Sequence, residues 1–177
     1  MIILGTDPGT ATTGFGIIKV PDDILGREFE YGIKLVDYGN ISTSKEDVMP
    51  KRLVQLHHGI EGLIEKYKPD LISIELLFFG INHRTAMAVG QARGVIMLSA
   101  GKHSVPIHEY TGLQVKLMIA GAGRADKKLV HEGVRKFLGS NGKRFRELTA
   151  KWKGGHADDA IDGIAIAITH VLKIAAK

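Results

Sequence analysis

The stretch MIILGTDPGTATTGFGIIKV, residues 1–20, carries the reading of the fold. Met1 to Thr6 is a short apolar run that stops at Asp7-Pro8-Gly9, and Gly14 to Val20 is a second such run. Between them GTDPGTATTG has the Gly, Pro and Asp content of a tight turn, so the two runs fold back on each other as strands. Lys34 to Ser42 reads as a third strand, with Leu35 and Val36 followed by Tyr38 and Ile41. The polar segment 21–32, with Pro21 and two aspartates, is a loop or an extended hairpin tip. An antiparallel meander of three strands results.

From Pro50 the period changes. Leu53, Leu56, Ile60, Leu63, Ile64 and Tyr67 recur at helical spacing, and Pro69 ends the run. DLISIELLFF, Asp70 to Phe79, reads as a buried strand. Asn82 to Gly101 is helical, with Ala86, Gly90 and Gly94 as a stripe of small residues, and Val105 to Tyr110 is a fifth strand. Leu113 to Ile119 and Ala125 to Leu138 are two short helices joined by the glycine-rich AGAGR loop. The last helix runs from Ala157 to Lys173, with Ile161, Ile164, Ile168 and Leu172 on one stripe. Three antiparallel strands followed by α/β crossovers predict an α/β chain with a mixed five-stranded sheet and helices on both faces. That element order matches the ribonuclease-H-like fold. A length of 177 residues predicts a single domain over 1–177.

Composition narrows the chemistry. Hydrophobic residues make up 44% and charged residues 24%, which argues against disorder. There is no cysteine, so disulfides, thiolate metal sites and cysteine nucleophiles are excluded. No apolar run approaches the ~18 residues of a membrane span. The N-terminus lacks the basic stretch, apolar core and cleavage site of a signal peptide, so a reducing cytoplasm is expected. The formal charge is +5, with a pI near 9.4. Residues 124–153 hold ten Lys or Arg against three acids; this stretch carries +7 and leaves −2 for the remainder. Such a run suits either a solvated face or a polyanionic partner.

Four acids stand out. Asp7 ends the first strand, where it serves either the turn before Pro-Gly or a site. Glu75 lies inside an apolar strand, and period 2 puts it with Ser73 on one face, opposite Ile72 and Ile74. A carboxylate there needs a cation, a hydrogen-bond network or a raised pKa, and a buried ion pair is one competing account. If the first and fourth strands are parallel neighbours, their C-terminal ends present Asp7 and Glu75 side by side. HADDAID opens the last helix, where Asp159 and Asp162, three apart, share a face. Asp158 is turned about 100° away, toward solvent or the cap. Favourable interaction with the helix dipole explains acids in a first turn without any function. His156 is a candidate cap, ligand or proton shuttle. Four distant acids without Cys or a His cluster suit a hard divalent cation such as Mg²⁺. Two such ions could activate water and stabilise the leaving oxygen of a phosphodiester.

These residues resemble the RuvC family of Holliday-junction resolvases. The matching strings are IILGTDPGTATTGFGII (2–18), IEL with Phe78 (74–78), GQARG (90–94), EYTGLQVK (109–116) and DDAIDGIAIAITH (158–170), in the family's order. The resemblance implies a crossover junction endodeoxyribonuclease of DNA recombination and repair. Asp7, Glu75, Asp159 and Asp162 would form its catalytic and metal-binding tetrad. It implies two Mg²⁺ ions per active site, with Mn²⁺ as a substitute, and a homodimer that nicks opposing strands of a four-way DNA junction to leave 5′-phosphates. Phe78 matches the aromatic inserted at the junction centre, and Lys116 and Lys127 match basic residues near the scissile phosphate. The GQARG helix matches the dimer interface. A branch-migration motor, RuvA and RuvB, is a family partner. Two features depart from the family: the segment 139–155 is longer and more basic, and 21–30 is an extension. Because Asp158 adjoins Asp159, a one-residue shift of helix register would exchange their roles.

Two rivals share parts of this pattern. YqgF-like nucleases acting on structured RNA share the first strand but are expected to lack the GQARG helix and Phe78. The phosphate-binding hairpin of the actin and sugar-kinase superfamily also resembles GTDPGTATTGFGI, but that fold needs two such domains. Lys143, Arg144 and Arg146 are the candidate DNA-binding residues of the basic stretch. Replacing all three with alanine should weaken DNA binding and flatten the dependence of log Kd on log salt. An unchanged slope in a titration at several salt concentrations returns the stretch to a solvated face.

Overall fold

The computed structural model describes residues 1–21, 32–76, 83–139 and 157–176. The expected extension at 21–30 apart from Pro21, the aromatic Phe78, the 139–155 segment beyond Gly139 and His156 lie outside these residues. The elements are β1 (Ile2–Asp7), β2 (Thr12–Lys19), β3 (Lys34–Ser42), α1 (Met49–Tyr67), β4 (Leu71–Leu76), α2 (His83–Lys102), β5 (Ile107–Thr111), α3 (Gly112–Ala120), α4 (Lys127–Leu138) and α5 (Ala157–Ala175). The sheet order is β3-β2-β1-β4-β5; β1–β2 and β2–β3 pair antiparallel, and β1–β4 and β4–β5 pair parallel. The mixed five-stranded sheet of the ribonuclease-H-like reading is therefore present. Among the described residues, no helix is long and apolar enough to cross a membrane.

Local chemistry sets the element ends. The β1–β2 turn is closed by Thr13, whose hydroxyl donates to the Gly9 carbonyl at 2.7 Å and accepts from the Gly9 N–H at 3.2 Å. Pro50 opens α1, and Lys68, at φ 46°, ends it with its N–H on the Ile64 carbonyl. The next residues clamp β4 to β1: Ile2 N–H donates to the Asp70 carboxylate, and Asp70 N–H donates to the Ile2 carbonyl. β5 begins at Ile107 rather than Val105. Pro106 has no N–H to give the ladder, although its carbonyl accepts from Ile72 N–H at 2.9 Å.

The sheet separates two apolar layers. On one face Leu4, Phe15, Ile17, Ile72 and Ile74 pack against Leu56, Ile60 and Ile64 of α1 and Ala92, Ile96 and Ala100 of α2. On the other, Ile3, Ile18 and Leu71 meet α3, α4 and the apolar flank of α5. The small-residue stripe expected on α2 divides: Ala86 is buried, whereas Gly90 and Gly94 are exposed. The helix turns its Ala92–Ile96–Ala100 row to the sheet, and this leaves the glycines outside.

Glycines bring α5 onto the sheet. A methyl group added at Gly5 would lie 2.1 Å from the Gly163 carbonyl oxygen, and one at Gly16 would lie 2.4 Å from Ile164. One at Gly163 would sit 2.7 Å from the Phe15 backbone. Helix and strand backbones thus touch without intervening side chains. Gly16→Ala should destabilise the chain by at least about 1–3 kcal/mol through overpacking. Gly62→Ala, on α1 where an added methyl meets nothing within 4 Å, should stabilise by about 0.5–1 kcal/mol through helix propensity. Denaturant midpoints of the two variants check both signs.

Candidate active site at the carboxyl ends of two parallel strands

The last paired residues of β1 and β4 are Thr6 and Ile74. One step further along each strand come Asp7 and Glu75, on the face that carries α5. Gly14 lies opposite Asp7 on β2. An added methyl there would come within 1.8 Å of the Asp159 carbonyl oxygen, so the absence of a side chain lets the first turn of α5 reach the end of β1. One carboxylate oxygen each from Asp7, Asp159 and Asp162 lies within 4.8 Å of the others. Glu75 stands beside this triad, near enough for its carboxyl and that of Asp7 to act on each other.

The electrostatics show how poorly these acids are compensated. Burial, then Glu75 and Asp159, push the Asp7 carboxyl well above the usual range, with Lys127 opposing. Burial and then Asp7 push Asp162 up to about 7. Glu75 is also raised, by burial and by Asp162, and the nearby Lys116 does not offset this. Lys116 pulls Glu75 down and Lys127 pulls Asp162 down, but burial and the neighbouring carboxylates outweigh them and both stay raised. Asp7 is not the residue that closes its turn, because Thr13 is. These acids are held together against their own repulsion.

Basic groups flank them. Lys127 Nζ lies 3.8 Å from Asp158 Oδ2 and 4.0 Å from Asp162 Oδ2. Asp158, expected toward solvent or at the cap, keeps 37% of its side chain exposed and lies beside the exposed Lys127, and Asp159 is the residue in the triad. A cavity of about 160 Å³ opens beside the acids, lined by Glu75, Asp162, Lys116, Lys127 and the apolar Val115, Val130 and Ile166. Two caps set this wall. Thr111 and Gln114 form a reciprocal capping box that starts α3, which places Gly112 against Glu75 and Lys116 a turn later. The Asp126 carboxylate accepts from Leu129 N–H at 2.9 Å and starts α4 at Lys127. Phe78, Lys143, Arg144 and Arg146 lie outside the described residues. Sequence reasoning passed over Gly112, although the T-x-x-Q box in EYTGLQVK marks the helix start that it occupies.

All donors in the cluster are carboxylate oxygens, crowded and short of countercharge, which fits a hard metal cation. The family model for crossover junction endodeoxyribonuclease RuvC matches residues 3–170. The chain belongs to the RuvC family. A RuvC of Syntrophomonas wolfei is 40% identical over 97% of this chain and 88% of its own length. One of Chloroflexus aurantiacus is 43% identical over 96% and 92%. The structure is similar to that of Thermus thermophilus RuvC in complex with Holliday junction substrate, with a TM-score of 0.80, 25% identity and coverage of 99% of this chain and 96% of that one. The yeast mitochondrial Holliday junction resolvase Ydc2, with a TM-score of 0.65 and 13% identity over 97% and 82% of the two chains, shares the fold. RuvC membership over nearly the full chain disfavours the YqgF-like rival.

The raised acids make stability depend on pH. In the folded, metal-free chain Asp162 keeps its proton to about pH 7, whereas the unfolded carboxyl releases it near 3.8. The folded state then binds more protons across that window, and stability falls as pH rises through it. A three-unit shift corresponds to about 4 kcal/mol; Asp162 keeps 28% of its side-chain surface in solvent, and screening reduces the effect to about 1–2 kcal/mol. Metal-free denaturation should therefore show lower stability at pH 8 than at pH 5, with Asp162→Asn flattening the decline. An equal decline in the variant means that this carboxyl ionises freely in the folded chain.

Proposed function

We propose that this RuvC-family chain is a structure-selective endonuclease that resolves four-way DNA junctions by paired phosphodiester hydrolysis during recombination and repair. The observation that carries the reading is the convergence of Asp7, Asp159 and Asp162, with Glu75 on Asp7, at the strand ends of a chain the RuvC model matches almost throughout. Asp7, Glu75, Asp159 and Asp162 are the catalytic and metal-holding residues. Mg²⁺ is the proposed cation, two per site, with Mn²⁺ able to replace it; bound there it would lower the pKa of water and offset charge on the scissile phosphate and the leaving 3′ oxygen.

The chain's own residues do the remaining work. Asp7, Glu75 and Asp162, whose carboxyls are held above the usual range, give up protons as cations load, so loading is favoured as pH rises. Lys127, drawn to Asp158 and Asp162 in the free protein, and Lys116, on the cavity wall, hold the phosphate against an otherwise repulsive acidic surface. Phe78 is proposed to wedge into the junction centre, and Lys143, Arg144 and Arg146 to hold the DNA backbone.

Two sites are needed for two opposing cuts, and a two-fold dimer supplies them. The proposed interface is the outer face of α2, where Met87 is 70% and Leu98 60% exposed and Gly90 and Gly94 meet nothing within 4 Å of an added methyl. Residues 1–177 act as one nuclease domain in this reading. A cytoplasmic location and work beside a RuvA–RuvB motor complete the proposal.

Incubation with a synthetic immobile four-way junction tests it. Mg²⁺ should give symmetric nicks with ligatable 5′-phosphates, EDTA should abolish them, and a linear duplex should remain uncut. Asp7→Asn should lose cleavage by at least about 100-fold, on the scale of losing a principal transition-state contact, while junction affinity stays near that of the parent. Cleavage at the parent rate by this variant would overturn the tetrad, and preferential cutting of structured RNA would favour the rival.

A further inference from the structure

On the sheet face covered by α5, Ser73, Tyr110 and His170 are polar side chains buried in the apolar layer, with exposures of 0%, 9% and 3%. Ser73 Oγ donates to the Ile166 carbonyl at 3.0 Å. Tyr110 Oη and His170 Nδ1 are 2.8 Å apart. Burial and then the adjacent His108, whose ring centroid is 4.5 Å away, push His170 down to about 4. Burial raises the Tyr110 phenol. The pair is therefore uncharged near neutrality and joined by one directional hydrogen bond.

The placement of these bonds matters. Ser73 precedes Glu75 by two residues on β4, and Tyr110 is the residue of β5 opposite Glu75. Ile166 and His170 lie on successive turns of α5, beyond the turn that carries Asp162. The two bonds thus tie the strands around Glu75 to the helix that bears Asp159 and Asp162. Asp7 is fixed to the same helix by another means, the glycine contacts of β1 and β2. Apolar packing along α5 is non-directional and permits rotation or sliding of the helix, whereas paired buried hydrogen bonds do not. A Phe–Leu pair would fill the same volume without the desolvation of two polar groups, so the polar choice points to a geometric duty.

We infer that Ser73, Tyr110 and His170 are positioning residues, a polar lock that holds the Asp159–Asp162 face of α5 in register with Glu75 and so sets the affinity of the carboxylate cluster for divalent metal. The lock rests on the nuclease reading of that cluster. The hydrogen bonds of its members go to the Ile166 carbonyl and between Tyr110 and His170 rather than to the acids, so it acts through the placement of Glu75 relative to α5.

Full-length Tyr110→Phe, Ser73→Ala and the double variant Tyr110→Phe/His170→Leu test the inference, with Asp7→Asn as control. Mn²⁺ is titrated at pH 8 while the shift in melting temperature is followed. Single-turnover junction cutting is measured at stepped Mg²⁺ with saturating enzyme. Tyr110→Phe and Ser73→Ala should each need roughly 10-fold more metal for the half-maximal shift and rate, the low end of what loss of a direct partner of a metal ligand costs, because these bonds act at one remove. Junction Kd in EDTA should stay within about twofold, and high Mg²⁺ should restore the rate, the expected result for a group that acts through metal affinity. The double variant should be no worse in metal midpoint than Tyr110→Phe, because the two residues share one bond. A lowered melting temperature with unchanged metal midpoints in both single variants would make the bonds structural only and overturn the lock. An Mn²⁺ shift that persists in Asp7→Asn would overturn the cluster reading and the lock with it. Loss of the shift in Asp7→Asn alone would overturn the lock and leave the cluster standing.

Discussion

The backbone of α5 rests directly on the backbones of β1 and β2, and the placement of the acids follows from that contact. Gly5, Gly14, Gly16 and Gly163 leave no side chain between helix and strands; methyl groups at these positions would come within 1.8–2.7 Å of backbone or side-chain atoms opposite. Distances this short cannot be relieved by a rotamer change where the opposing atom is a carbonyl oxygen. Any side chain at Gly14 would push the first turn of α5 away from Asp7. The triad of Asp7, Asp159 and Asp162 is in this sense a consequence of glycine placement, and the chain accepts the backbone entropy of glycine inside strands to obtain it.

The cluster that results is electrostatically poor without a cation. Asp7, Glu75 and Asp162 are all shifted upward, with burial the largest cause for each. Lys127 and Lys116 offset part of the negative potential but do not neutralise it; the side chain of Lys127 is itself 65% exposed and sits about 4 Å from its carboxylate partners. A pair at that distance near solvent contributes little. The sheet, the capping box of α3 and the cap of α4 hold these groups in place regardless, which is what preorganisation for a hard cation requires.

Much of this could be read in the chain. The turn chemistry of GTDPGTATTG, the period change at Pro50 and the alternation that sets Ser73 and Glu75 apart from Ile72 and Ile74 all reappear in the structure, because each depends on neighbours within a few residues. Which side of α2 packs on the sheet could not be read from its small-residue stripe. Ala86 and the two glycines lie within eight residues of one another, but which side of a helix is buried depends on what packs there, and Ala92, Ile96 and Ala100 meet the sheet. The start of β5 shifted by two residues for a similar reason, since Pro106 can only accept from its neighbouring strand.

Sequence alone determined the element order and the family and singled out the four acids as candidates, because strand alternation, helical period and motif spacing are local properties of the chain. Tertiary structure decided which acid of the Asp158–Asp159 pair joins the triad and which meets Lys127, and it decided that Glu75 leans on Asp7. Those outcomes turn on the rotation of α5 above the sheet. That rotation is fixed by contacts between residues as far apart as Gly14 and Asp159, or Ser73 and Ile166, and no local pattern encodes them.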